Sequence, residues 1–180
     1  MSQFEHDVYI QGALNYLEQI QFKNDKLNPQ NFKGEWPVSM VLEDNFILLG
    51  KEKKRFDDSN CFTTSTIYST LARCYIKDTS LKQCLKMMQL AHPRISAFKY
   101  GDSYNFWNLL PATCQINPFK SLEQQKPVHR PTNFVLDGKF MNKAANVVND
   151  ADDSALSEIS NFYHTKIFKD SANAPCLIPF

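Results

Sequence analysis

Wound at about 3.6 residues per turn, residues 5–22 bring Val8, Ala13, Leu14, Leu17 and Ile20 near one face, with Tyr9 and Tyr16 at its border. The same three-and-four spacing recurs three times. It runs through Phe62, Thr66, Ile67, Thr70, Leu71 and Tyr75, through Leu81, Leu85, Met88 and Leu90, and through Ala155, Leu156, Ile159, Phe162 and Tyr163. Asp57-Asp58-Ser59-Asn60 opens the second stretch and Thr79-Ser80 the third, both with residue types that accept hydrogen bonds from unpaired backbone N–H groups. His92-Pro93 is expected to interrupt the third helix, and the fourth is expected from about Asp152 to Lys169. Short connections between helices read as antiparallel helical hairpins. Only five glycines occur, which disfavours a fold rich in tight β-turns. The expected fold class is therefore all-α, one helical domain over residues 1–180.

The remaining segments are less regular. Lys23 to Gly34 is polar, with a turn at Asn28-Pro29, and Gly34-Glu35-Trp36-Pro37 closes it. Val38 to Gly50 is apolar and reads as a helical turn or a strand-like piece, and the basic run Lys51 to Arg55 reads as a solvated loop. Residues 100–131 form an irregular insertion, aromatic at Tyr104-Asn105-Phe106-Trp107 and punctuated by Pro111, Pro118, Pro127 and Pro131. Phe140 to Val148 is a short apolar segment.

Charge and cysteine usage remove several function classes. A net charge of +1 gives no electrostatic case for nucleic acid or an anionic membrane. No run approaches the roughly 20 apolar residues of a membrane span, and the polar start Met1-Ser2-Gln3-Phe4-Glu5-His6-Asp7 lacks the basic and apolar regions of a secretory leader. The five scattered cysteines read as thiols in a reducing compartment, so a cytoplasmic protein is expected. No glycine-rich phosphate loop or GxSxG elbow is present, and His6, His92, His129 and His164 are too dispersed for a zinc site. No cofactor or metal is expected.

Two acidic segments precede amphipathic stretches, Asp57-Asp58-Ser59 and Asp152-Asp153-Ser154. Acids with Ser at a helix start are good capping chemistry, and capping is the first reading of Asp57 and Asp58, with a part in a site the second. Asp150-Ala151-Asp152-Asp153 is different, with three carboxylates in four residues. Crowded carboxylates repel, so at least one should hold its proton more tightly, and a protonated carboxyl beside an apolar pocket is a general acid. An acidic helix start or a cation-binding cluster would produce the same pattern.

Asp150-Ala151-Asp152-Asp153-Ser154-Ala155 resembles the DxDD(T/S)A signature of class II terpene cyclases such as squalene–hopene cyclase. Ala13-Leu14-Asn15-Tyr16-Leu17, followed by Gln19, Gln21 and Gly34-Glu35-Trp36, resembles the helix–Gln–loop–Gly-x-Trp repeat of the terpenoid cyclase and protein prenyltransferase toroids. The resemblance implies an α/α-hairpin toroid, partial or compact, carrying the irregular insertion. A closed toroid has more hairpins than 180 residues supply, so an oligomer or a further chain segment is expected to complete it. It implies Asp152 as proton donor, with Asp150 and Asp153 polarising it, and an isoprenoid substrate whose carbocation passes Tyr104, Phe106 and Trp107. Related toroids act on carbohydrates, which leaves a glycan substrate with Asp57, Asp58 or Asp152 as acid and base. A non-catalytic helical scaffold is the third expectation.

Overall fold

The computed structural model describes residues 3–46, 50–111, 126–133 and 149–169. Helix α1 (Gln3–Ile20) is followed by the short strands β1 (Lys26–Leu27) and β2 (Gln30–Asn31), then by the longer strands β3 (Val38–Phe46) and β4 (Gly50–Asp58). Helices α2 (Cys61–Lys77) and α3 (Lys82–Ala97) come next. Strands β5 (Lys99–Tyr100), β6 (Ser103–Tyr104), β7 (Leu109–Leu110) and β8 (Val128–His129) lead to α4 (Ala151–His164), which continues into a π-helical turn, Thr165–Lys169. The strands pair as four separate antiparallel hairpins. The all-α expectation is corrected accordingly: the described chain is mainly helical but mixed. Lys51 to Arg55 is part of β4 rather than a loop, paired residue by residue with Asn45 to Val41 of β3. Within the insertion, β5–β8 order residues 99–110 and 128–129, whereas Phe140 to Val148 lies outside the described residues.

Helix directions follow from the contacts between them. Tyr75 meets Lys82 and Tyr68 meets His92, so α2 and α3 are antiparallel across the connection at Asp78. Cys61 meets Ser157 and Ser69 meets Ser160, so α2 and α4 run parallel. Gln11 meets Gln83 and Gln21 meets Met87, so α1 and α3 also run parallel. The core lies among these helices and is built from Leu14, Trp36, Tyr68, Leu71, Met87, Met88, Ile95 and Phe98, all buried.

Two helix expectations change. α3 passes through Pro93 rather than stopping at it. Pro93 and Gln89 are both exposed, so the carbonyl that loses its donor faces solvent. In α4, Ile159 and Phe162 of the expected inner stripe are exposed, whereas Asp153, Ser157 and Ser160 are buried. Small hydroxyl side chains let α2 and α4 approach closely. Ser65 Oγ lies 3.1 Å from Ser157 Oγ, Ser69 Oγ lies 3.0 Å from Ser160 Oγ, and Ser160 Oγ donates to the Ser65 carbonyl at 3.2 Å. Each hydroxyl is satisfied, so a polar contact serves where an apolar stripe was expected.

The Gln and Gly-x-Trp residues meet at the end of α1. Gln21 Nε2 donates to the carbonyls of Gly34 (3.1 Å) and Met87 (3.0 Å), and Trp36 Nε1 donates to the Leu17 carbonyl at 2.9 Å. These bonds tie the end of α1 to the loop and to α3, the Leu17 carbonyl also taking the Gln21 N–H at 3.1 Å. Gly34 has φ +96°, and a Cβ there would lie 2.1 Å from the Leu90 carbonyl oxygen, so only glycine fits against α3.

Candidate acid site

α4 begins at the acidic segment. Asp150 occupies the N-cap position, but its side chain makes no capping hydrogen bond. The helix start is held by other groups. Ser154 N and Ser154 Oγ both donate to the Asp150 carbonyl, at 3.1 and 2.7 Å, and Asp152 accepts the Asp153 N–H at 2.9 Å. Capping therefore leaves the carboxylates of Asp150 and Asp153 unspent.

The aromatic segment is fastened directly to this helix start. Asp150 N donates to the Tyr104 carbonyl at 3.3 Å and Tyr104 N donates to Ser154 Oγ at 2.9 Å. Cys61 N, the first of α2, donates to the Phe106 carbonyl at 3.0 Å. The backbone of the aromatic segment is thus fastened to the start of α4 at Tyr104 and to the start of α2 at Phe106, while the Tyr104 hydroxyl accepts from Asn161 Nδ2 further along α4 at 2.9 Å. Tyr104 and Trp107 are buried, Phe106 is half-buried, and Phe106 meets Trp107 edge-on with ring centres 4.6 Å apart.

The three acids sit in different environments. Asp150 and Asp152 are exposed, whereas Asp153 is completely buried and neither of its oxygens has a hydrogen-bond partner. One oxygen from each carboxylate lies within 4.8 Å of the others. Burial pushes the Asp153 carboxyl up to about 7, and the charges of Asp152 and Asp150 push the same way. Cys61 nearby is held up at about 12, mainly by burial and also by Asp153, against a hydrogen bond with Ser157. That thiol stays protonated and is not a nucleophile.

Asp57 and Asp58 lie elsewhere, at the end of β4. Asp57 is exposed and accepts a short hydrogen bond from Ser39 Oγ. Asp58 is buried and accepts from the backbone N–H of Ser59 (2.8 Å) and of Asn133 (3.0 Å), while burial holds its carboxyl above the usual range. It fastens residue 133 to the turn before α2. The cap of α2 is Asn60, which accepts from Thr63 N at 2.7 Å.

A second buried carboxylate escaped sequence reasoning. Glu35, the middle residue of Gly34-Glu35-Trp36, is fully buried. Arg94 Nη2 lies 2.7 Å from its Oε1, and Ser59 Oγ donates a short hydrogen bond to Oε2. The Arg94 guanidinium also reaches Asn108 Oδ1 and lies 4.3 Å from the Phe32 ring centre. Burial still raises the Glu35 carboxyl above its ordinary range, although Arg94 and the hydrogen bonds oppose it. Beyond the polar character of the two residues, nothing in the chain announces this pair.

Between α2, α3 and α4 lies a third polar group. His92 and His164 stack with ring centres 3.5 Å apart, and Tyr68 OH is 2.8 Å from His164 Nδ1. Burial, His92 and Lys169 lower His164 to about 4, and burial lowers His92 as well, so both rings are neutral near pH 7. Among the described residues no helix is long and apolar enough to cross a membrane. Comparison with family models, curated proteins and solved structures finds no match.

Proposed function

We propose that the chain is a terpene-cyclase-like enzyme that starts a carbocation reaction by proton transfer from the Asp150–Asp153 segment, with Asp153 holding the proton. The observation that carries this reading is the buried Asp153 carboxyl, which has no hydrogen-bond partner and is held near 7. At neutral pH a large fraction of it keeps the proton a general acid needs. Asp152, the donor that the family resemblance implies, is exposed and accepts a backbone N–H. In this reading Asp150 and Asp152 raise the proton affinity of Asp153 and return its proton from solvent after turnover. The Asp153 O–H bond breaks; on an olefin a C–H bond forms as the π bond opens, on an epoxide an O–H bond forms as a ring C–O bond opens, and the positive charge passes to substrate carbon. Tyr104, Phe106 and Trp107 offer aromatic faces to that charge.

Helix order supports the toroid part of the reading. Parallel pairing of α1 with α3 and of α2 with α4, with α2 and α3 antiparallel, is the alternation that stacked α/α hairpins require. The glycan alternative draws no support from Asp57 and Asp58, since Ser39, Ser59 and Asn133 engage them.

The test is product analysis by gas chromatography and mass spectrometry after incubation with squalene, oxidosqualene and geranylgeranyl diphosphate. Asp153→Asn is expected to lose at least a hundredfold of activity with unchanged circular dichroism, and Asp152→Asn to lose less. Undiminished turnover in Asp153→Asn overturns the assignment of the proton. Sugar release from a glycan panel, with no cyclised isoprenoid, overturns the reaction class. No product from either panel leaves the helical scaffold as the reading to adopt.

A further inference from the structure

We propose that Asp150, Asp152 and Asp153 form a calcium site at the start of α4. Three observations converge on it. The first is spacing, since one oxygen from each carboxylate lies within 4.8 Å of the other two. Calcium binds oxygens at about 2.3–2.6 Å, so two of its ligands can stand as much as about 5 Å apart. Calcium also accepts irregular geometry and six to eight oxygens, whereas magnesium demands near-ideal octahedral geometry at about 2.0–2.1 Å.

The second observation is independent of the clustering. Asp153 is fully buried, neither of its oxygens accepts a hydrogen bond, and one of them is aimed into the trio. Buried carboxylates are ordinarily matched by donors or by a counter-charge, because desolvation without either is costly. Among the described residues no basic side chain forms an ion pair with any of the three acids. A cation shared with Asp150 and Asp152 supplies the missing partner.

The third is accessibility. Asp150 makes no capping bond, and Asp152 uses one oxygen on the Asp153 N–H and keeps the other. Both are exposed, so water can fill the outer side of the six-to-eight-fold shell that calcium adopts. The positive end of the α4 dipole opposes the cation, but it amounts to about half a charge against three carboxylates.

This site goes beyond the acid reading, and proton and cation are alternative counter-charges for the same oxygens. It is therefore tested on the resting protein without substrate. The chain is freed of metal with a chelator and titrated with calcium chloride by calorimetry and by thermal melting. Magnesium chloride, and sodium chloride at matched ionic strength, serve as controls. Saturable one-to-one calcium binding is expected, with a rise in Tm and weaker binding of magnesium. Asp153→Asn and Asp150→Asn should each weaken calcium binding at least tenfold. Asp150→Asn keeps the test decisive if Asp153→Asn does not fold, because the Asp150 side chain makes no capping bond that the fold would lose. Absence of saturable binding up to about 10 mM, above the range of the weakest calcium modules, overturns the proposal. So does calcium affinity unchanged in the variants, or a rise in Tm that sodium chloride reproduces. None of these outcomes bears on turnover, so the calcium site and the acid reading can fail separately.

Discussion

Arg94 presents Nε and Nη2 to a single oxygen of Glu35, at 2.8 and 2.7 Å, across 59 residues of sequence. The pair joins α3 to the loop after α1, and the hairpin β3–β4 brings the third member to it. Val38 pairs with Asp58 in that hairpin, which sets Ser59 beside Glu35. Removing Arg94 leaves the carboxylate buried without its cation. Arg94→Met is expected to cost roughly 3 kcal/mol in urea denaturation, in line with broken buried pairs. Arg94→Met combined with Glu35→Gln should recover a substantial part of that loss. A double variant no more stable than Arg94→Met would show that the packing of Arg94 on Phe32, rather than charge, sets the cost.

Gly34→Ala is expected to be severe for a backbone reason. The residue has positive φ, and the new methyl would meet the Leu90 carbonyl of α3. A loss of more than about 2 kcal/mol is expected, combining conformational strain with a displaced helix. Gly101→Ala shares the positive φ but has open space around it, so it should cost about 1 kcal/mol. The difference between the two variants in chemical denaturation measures the contact with α3.

Asp153 sets a pH dependence whose sign can be worked out. Its carboxyl is raised from 3.8 to about 7, so its contribution to stability is fully present below pH 3.8 and is lost as pH rises through 7. Asp153→Asn removes this group's titration. The variant should therefore gain on the wild type with rising pH, reaching roughly 2–4 kcal/mol above pH 7 in the absence of calcium. Melting curves of both proteins between pH 4 and 8 check this, and parallel curves would remove the basis for placing the proton on Asp153.

His164 acts in the opposite sense. Its ring is lowered from 6.5 to about 4, so its contribution is fully present above pH 6.5 and is lost as pH falls through 4. His92 is one of the causes, and His92→Phe should raise the His164 midpoint while a ring remains to stack on it. Titration of the imidazole C–H signals by NMR reads the shift directly, and an unmoved midpoint would assign the lowering to burial and Lys169 alone.

These residues also mark what local pattern can convey. The four helices are legible because apolar side chains recur with the helical period at Leu14 and Leu17 or Leu71 and Tyr75. The acidic segment and its place at a helix start were equally plain. The inner face of α4 was not, because period reasoning follows apolar residues and the buried side carries Ser157 and Ser160. Strand β4 was hidden by its run of lysines, a residue depleted in strands and common in loops. Identifying Asp153 as the buried member of the trio needs the packing of α2 against α4. Glu35 and Arg94 need the whole fold.

The anchoring of α1 has a consequence for how the chain opens. It is fastened in its middle, where Ile10 packs on the core and Gln11 bonds Gln83, and toward its last turns, at Leu14, at the Leu17 carbonyl held by Trp36, and at Gln21 bridging Gly34 and Met87. Toward the other end Val8 and Tyr9 face solvent. The last turn, tied to the loop and to α3, opens only when the elements it is tied to let go. Amide hydrogen exchange in the last turn of α1 should therefore proceed only with the global unfolding that α2 and α3 share.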